Sequence, residues 1–188
     1  MKAFILDGSS QDDVMAQAVR AAIVDELKTN GWDVDALILR DMNIAGCMGC
    51  FGCWVKTPGT CVIPDAGRDV ARRIINSDLL VLITPVTFGG YSSTMKKALD
   101  RTIPLMSPFF VRINGEVHHK PRYPRFPVYV GIGLLPREDE ESERIFKKLI
   151  ERNALNAHSP AHAAVVLSGS TGPDTIKTEF EKILAIKR

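Results

Sequence analysis

The run Leu79-Leu80-Val81-Leu82-Ile83, followed at once by Thr84-Pro85-Val86-Thr87-Phe88-Gly89-Gly90-Tyr91, decides the architecture of this chain. Five consecutive aliphatic residues with no polar alternation predict a strand covered on both faces, as in a parallel sheet sandwiched between helices. Working outward, Val70, Ile74 and Ile75 stand at helical spacing before it, and Ser92 to Ile103 predicts a helix after it. The same alternation recurs along the chain. Lys2 to Asp7 is a short apolar strand, Gly8-Ser9-Ser10 a turn, and Val19, Ile23 and Leu27 share one helix face that ends at Gly31. Val34 to Leu39 predicts a second strand and Val128 to Gly133 a fourth, backed by a helix carrying Ile145, Phe146, Leu149 and Ile150. Ala163 to Leu167 predicts a fifth, and a last helix with Ile176, Phe180 and Leu184 opens at Gly172-Pro173, proline being favoured in a first turn.

Five strand-helix units predict an α/β fold: a flavodoxin-like, doubly wound, five-stranded parallel sheet in the order 2-1-3-4-5 with helices on both faces. The 188 residues fit a single domain over 1–188, with a Cys-rich loop at about 41–65 and a Pro-rich hairpin insertion at about 107–127 around the turn signal Asn114-Gly115. A chain of this size buries about 70% of its surface, so it needs no metal or disulfide to fold. A composition of 45% hydrophobic and 24% charged residues, with 24 Lys+Arg against 22 Asp+Glu, excludes disorder and gives no support to a nucleic-acid or anionic-membrane surface. Ala3 to Leu6 is too short for a signal peptide, and no run reaches the roughly 18 apolar residues of a membrane helix. The expected location is therefore the cytoplasm, where clustered thiols serve metals or redox chemistry more often than disulfides.

Ligands in such sheets bind beyond the carboxyl ends of the strands, which directs attention to 8–13, 40–65, 84–91, 134–137 and 168–172. In the first loop, backbone amides at a helix N-terminus and the hydroxyls of Ser9 and Ser10 make a phosphate cradle. It lacks the Lys of a triphosphate loop and the glycine spacing of a dinucleotide fingerprint, and Asp12 and Asp13 oppose an anion that they face. The alternative is that Ser10 or Asp12 simply caps the helix. In the third loop, Gly89 and Gly90 let backbone approach a planar ligand while Phe88 and Tyr91 offer rings; the alternative is an ordinary turn with both rings in the core. The four cysteines read C-x2-C-x2-C-x7-C: Cys47, Cys50, Cys53 and Cys61. Four thiolates with glycines between them suit a [4Fe-4S] or [2Fe-2S] cluster. Structural zinc prefers two separated knuckles, and ordinary loop thiols or a Cys50/Cys53 dithiol are further alternatives.

Together these stretches resemble the NAD(P)H-dependent FMN reductase-like flavoproteins, and within them the iron-sulfur flavoprotein branch. The motifs are Cys47-Met48-Gly49-Cys50-Phe51-Gly52-Cys53-Trp54, Thr57-Pro58-Gly59-Thr60-Cys61 with Asp65, and Thr84-Pro85-Val86 with Phe88-Gly89, then Lys96 and Asp100-Arg101. The resemblance implies noncovalent FMN, reduction by NAD(P)H or another donor, and homodimers or homotetramers. It further implies a [4Fe-4S] cluster on Cys47, Cys50, Cys53 and Cys61 that passes electrons to the flavin of a neighbouring subunit. It places the FMN phosphate at Ser9 and Ser10 and the flavin ring along Thr84, Pro85, Val86, Thr87, Phe88, Gly89 and Gly90. The first loop departs from the family pattern: Gln11, Asp12 and Asp13 stand where a basic residue and more hydroxyl or amide groups are usual.

Flavin chemistry belongs mostly to the cofactor, so no catalytic side chain is assigned. The expected partners are a small-molecule or protein electron acceptor, with neither nucleic acid nor membrane. His118-His119-Lys120 and Arg122-Tyr123-Pro124-Arg125 read as a solvated loop or as a nucleotide-phosphate contact, and the run 138–141 as acidic charge at a helix N-terminus. The rival readings are a nonenzymatic iron-sulfur or zinc scaffold without flavin, and a phosphoacceptor signalling domain. The second lacks the Asp after the third strand and the Lys after the fifth that it needs.

Overall fold

The computed structural model describes residues 1–169 and 173–185. Seven strands and six helices are present among these: β1 (Lys2–Asp7), α1 (Val14–Thr29), β2 (Asp33–Ile38), α2 (Gly52–Val55), α3 (Ala66–Ile75), β3 (Leu79–Pro85), α4 (Ser93–Leu99), β4 (Met106–Ile113), β5 (Glu116–Pro121), β6 (Val128–Leu135), α5 (Glu140–Asn156), β7 (His162–Ser168) and α6 (Pro173–Ala185). The expected Gly172 start of α6, and the side chains of Ile176 and Leu184, lie outside the described residues.

Five strands form one parallel sheet in the order β2-β1-β3-β6-β7. β4 and β5 make a separate antiparallel hairpin, so counting sheet strands alone the order is the expected 2-1-3-4-5. Strand periodicity divides the core in two. Ala3 and Ile5 point to the face covered by α1 and α6, with Val19, Ile23, Leu27 and Phe180. Phe4 and Leu6 point to the other, with Val70, Ile74, Met95, Phe146 and Ile150 from α3, α4 and α5. Leu79 through Ile83 are all buried because β3 lies between both layers.

Helix starts are marked by side-chain caps. Asp13, not Ser10 or Asp12, caps α1 by accepting the Ala16 N–H (2.9 Å); Asp65, Ser92 and Asp139 do the same for α3, α4 and α5. Glu140, Glu141 and Glu143 in the first turn of α5 complement its dipole. The helix expected over 92–103 ends earlier, at Leu99, and continues as a 3-10 turn over Asp100–Leu105, because Pro104 has no N–H to give.

The hairpin turns at Asn114-Gly115, both with positive φ (49° and 86°). Its histidines fasten it down. His118 is buried with Nδ1 2.9 Å from Asn156 Oδ1, and His119 lies between Trp54 and Phe110, with ring centroids 4.8 and 4.7 Å away. His118 is therefore not in a solvated loop, because its ring packs into the interface between β5 and α5. Among the described residues no helix is long and apolar enough to cross a membrane.

Candidate functional site

The carboxyl ends of β1, β3 and β6 are stitched together. Gly8 N–H donates to Ile83 O (2.8 Å), Ser92 Oγ donates to Gly8 O (2.7 Å), and Val86 N–H donates to Leu134 O (2.9 Å). The loops after β1 and β3 consequently share one edge of the sheet. Thr84 is buried, and its hydroxyl accepts from Ser92 N (3.0 Å) and donates to Pro85 O (3.0 Å); it braces the loop from beneath. Thr87 and Gly90 close a tight turn with reciprocal bonds of 3.0 and 2.9 Å around Phe88 (φ 50°) and Gly89 (φ 73°). A Cβ on Gly89 would sit 2.5 Å from Ile145 Cγ2, so this position needs glycine both for its backbone and for the approach of α5. Pro85 and Val86 are half-buried beside the turn. The two rings part company: Tyr91 turns into the core, whereas Phe88 is 100% exposed.

The first loop divides in the same way. Ser9 faces inward, its N–H and Oγ both donating to Asp7 Oδ1 (2.9 and 2.5 Å), and Arg20 pairs with the other oxygen of this fully buried carboxylate. Ser10 faces solvent. The basic residue absent from the loop itself arrives from the turn after β2: Arg40 Nη1 donates to Ser10 O (3.0 Å) and lies 3.4 Å from Ser9 O. Arg40 is the residue that sequence reasoning missed, because it is 30 positions from Ser10 and carries no motif. An outward hydroxyl, loop backbone and an adjoining guanidinium fit a phosphate; the inward Ser9 hydroxyl, held by Asp7, braces the cradle.

The cysteine loop runs from the end of β2 along the Asp100–Leu105 turn. Gly52 permits this path: a Cβ there would lie 2.6 Å from Val62 Cγ1, so glycine lets the Cys61 arm close against the Cys50–Cys53 arm. Cys47, Cys50, Cys53 and Cys61 all border one small cavity of about 20 Å³, walled by Phe51, Val62 and Ile103. Burial pushes the Cys53 thiol up, and the neighbouring charge of Cys61, then of Cys47 and Cys50, pushes it further. Among the described residues no three His, Cys, Asp or Glu side chains stand close enough to hold a single ion. The thiols surround a space without closing to a point.

Both ends of this loop are held by one side chain. Arg101, with its side chain fully buried, donates from Nη1 to Ala45 O (2.7 Å) and Asp65 Oδ2 (2.9 Å), and from Nη2 to Ile63 O (3.2 Å) and Asp65 Oδ1 (2.7 Å). Burial alone would raise the Asp65 carboxyl, but hydrogen bonds from Arg101, Ala45 N and Gly67 N hold it below the usual range. Burial likewise opposes the Arg101 charge, and Asp65 and the adjoining Cys61 more than restore it.

A cavity of about 610 Å³ lies elsewhere, between the amino-terminal ends of β3 and β6 and the helices α4 and α5. Along its wall the Tyr91 hydroxyl bonds the Tyr129 hydroxyl (3.2 Å) and accepts from the Asn153 amide (2.9 Å), and burial raises both phenols. It meets the loop after β3 only at Gly90 and Tyr91.

The family model described as NADPH-dependent FMN reductase matches residues 1–124, which include both loops and all four cysteines. The chain belongs to that family. This FMN reductase-family chain is 28% identical over 112 residues to an iron-sulfur flavoprotein of Methanocaldococcus jannaschii, covering 60% of its own length and 57% of that protein's. It thus spans a little over half of this curated relative. Among solved structures it superposes on an FMN-dependent NADH-azoreductase from Bacillus anthracis in complex with FMN (TM-score 0.68, 11% identity, 98% and 96% of the two chains). It also superposes on an NAD(P)H:quinone oxidoreductase from Methanothermobacter marburgensis (TM-score 0.63, 15% identity, 98% and 95%). At these identities the likeness shows the shared fold alone.

Proposed function

We propose that this chain is an FMN-dependent oxidoreductase or electron-transfer flavoprotein that takes electrons from NAD(P)H or another donor. The observation that carries the reading is the shared edge where the Arg40-backed phosphate loop and the glycine turn after β3 are joined through Ser92 and Gly8. In this reading Ser10, the loop amides and Arg40 hold the FMN phosphate, with Ser9 bracing them from within. The backbone of 84–90 receives the ring: Gly89 and Gly90 give close access, Pro85 and Val86 wall one side, Thr84 braces the floor, and Thr87 and the exposed Phe88 border the opening. Bound FMN supplies the hydride and single-electron chemistry. The chain's part is to bind, orient and shield; no side-chain acid or base is assigned. The relatives' names support the donor and the acceptor class: an NADH-azoreductase, an NAD(P)H:quinone oxidoreductase and an iron-sulfur flavoprotein.

Cys47, Cys50, Cys53 and Cys61 are proposed to hold an iron-sulfur cluster of the [4Fe-4S] type. What supports this reading is the C-x2-C-x2-C-x7-C spacing and the way all four cysteines border one small space. When bound, the cluster would relay single electrons. Transfer to the flavin of a neighbouring subunit in a homodimer or homotetramer is part of the proposal. A cytoplasmic setting, a small-molecule or protein acceptor, and a single domain over 1–188 complete the proposal.

The test is anaerobic preparation with supplied FMN, iron and sulfide, followed by flavin and iron assay. Stoichiometric FMN supports the reading; Cys50→Ala should lose iron and keep flavin. A protein that takes up neither cofactor under these conditions refutes it, and iron or zinc without flavin would support the scaffold reading instead.

A further inference from the structure

We propose that the cavity of about 610 Å³ between α4, α5 and the amino-terminal ends of β3 and β6 binds an uncharged aromatic molecule that carries one hydroxyl group. Its volume is that of a small-molecule site, in which an apolar wall surrounds a few gathered polar groups. Most of this wall is aliphatic or aromatic: Leu80, Leu99, Leu105, Phe126 and Leu149 come from five separate segments. Flat apolar rings suit such surroundings. The charged residues that border it, Lys96 and Asp100, pair with each other across one helical turn, so the wall presents no net charge. An ionised ligand would lose its hydration here and gain no opposite charge in return.

The polar side chains that remain do not satisfy one another. Tyr91 is 9% and Tyr129 5% exposed; their hydroxyls share a single bond, and the Tyr91 oxygen also accepts from the Asn153 amide. Two hydroxyl hydrogens with one bond between them leave one hydrogen without a protein acceptor among the described residues, whichever tyrosine donates. Burial raises both phenols, so each keeps its proton at neutral pH and acts as a donor. A buried hydroxyl hydrogen without an acceptor is costly unless something else supplies one. Asn153 spends its amide nitrogen on Tyr91, and its Oδ1 accepts from no protein group among the described residues. Other polar groups of the wall are engaged: Thr102 donates to Leu99 O (2.7 Å), and Asn156 Oδ1 meets His118 Nδ1 (2.9 Å). A ligand hydroxyl answers both gaps at once, since its oxygen accepts the spare tyrosine hydrogen and its own hydrogen goes to Asn153 Oδ1. The cavity touches the glycine turn after β3 only at Gly90 and Tyr91, and the inference does not depend on FMN binding.

The experiment is equilibrium dialysis of the whole chain, with and without saturating FMN, against 2-naphthol, naphthalene and 2-naphthoate. One 2-naphthol should bind per chain, equally to within about twofold in the two conditions. Naphthalene, which lacks the hydroxyl, and 2-naphthoate, which brings a charge, should each bind at least about tenfold more weakly. Replacing both tyrosines together, Tyr91→Phe with Tyr129→Phe, keeps the rings and removes the hydroxyls, so the preference for 2-naphthol over naphthalene should shrink to about threefold or less. Leu149→Trp fills the space from α5 and should weaken 2-naphthol at least about tenfold while FMN affinity is unchanged. The proposal is overturned if 2-naphthol does not bind or if naphthalene or 2-naphthoate binds as well. It is equally overturned if 2-naphthol binds only when FMN is present, the mark of a ring stacked on the flavin, or if Leu149→Trp leaves its affinity intact.

Discussion

Replacing Arg40 by Gln tests the proposed phosphate cradle, because it removes charge from the loop without touching the core: the Arg40 side chain is 22% exposed and its nearest carboxylate, Asp41, is 3.8 Å away. Its guanidinium already reaches Ser10 O at 3.0 Å, so a phosphate seated on the loop amides lies within about 4 Å of a full positive charge. At an effective dielectric of about 20 that attraction is worth about 4 kcal/mol. Partial exposure and the need to share Arg40 with the Ser9 and Ser10 carbonyls reduce it, and about 1.5–3 kcal/mol is the usual net value of a hydrogen bond to a charged group. FMN should therefore bind about 10- to 150-fold more weakly. The assay is quenching of flavin fluorescence on titration with the chain, run in parallel with riboflavin, which has the same ring and no phosphate. Riboflavin affinity should be unchanged, and the gap between the two flavins should narrow as salt rises. The reasoning is refuted if the variant keeps FMN affinity within about twofold of the wild type, or if riboflavin is weakened equally.

Three further outcomes follow from the same geometry. Asp13→Ala removes the α1 cap, so it should cost about 1 kcal/mol in urea denaturation, yet removing an anion beside the loop should leave FMN binding equal or tighter; weaker FMN binding would mean that the carboxylate serves the ligand. Gly89→Ala places a Cβ against Ile145 at a φ of 73° and should cost about 1–3 kcal/mol and distort the ring-side turn, read as a lower melting temperature together with lost flavin affinity. Asp65→Asn leaves Arg101 buried and unpaired and should cost about 3–5 kcal/mol at pH 7. Because the folded-state Asp65 pKa is depressed, its contribution is fully present above the unfolded value of about 3.9 and fades as pH falls through the lower folded value. The stability gap between wild type and variant should therefore close only in acid below about pH 4; a constant gap across that range contradicts the assignment.

What could be read before any coordinates was whatever local physics imposes. The unbroken Leu79–Ile83 run announces a strand buried on both faces, the spacing of Val19, Ile23 and Leu27 announces an amphipathic helix, and Asn114-Gly115 announces a hairpin, because periods of two and 3.6 and a positive φ act over a few residues. Chain topology then places the ends of β1 and β3 on one edge, so the two loops could be paired from sequence. The cysteine spacing likewise declares four nearby thiols.

Tertiary packing decided the rest, since it depends on residues that meet only when distant elements close. Ser9 turns inward because a buried Asp7 draws both its donors, and the cation beside Ser10 comes from Arg40, across a strand crossover. Phe88 and Tyr91, three positions apart, end on opposite sides of a tight turn. Arg101 becomes the clasp of the cysteine loop because Asp65, 36 positions earlier, caps α3 directly beneath it. Sequence by itself determined the elements and their order; the folded chain decided which charges face one another, because electrostatic partners are selected by distance in space.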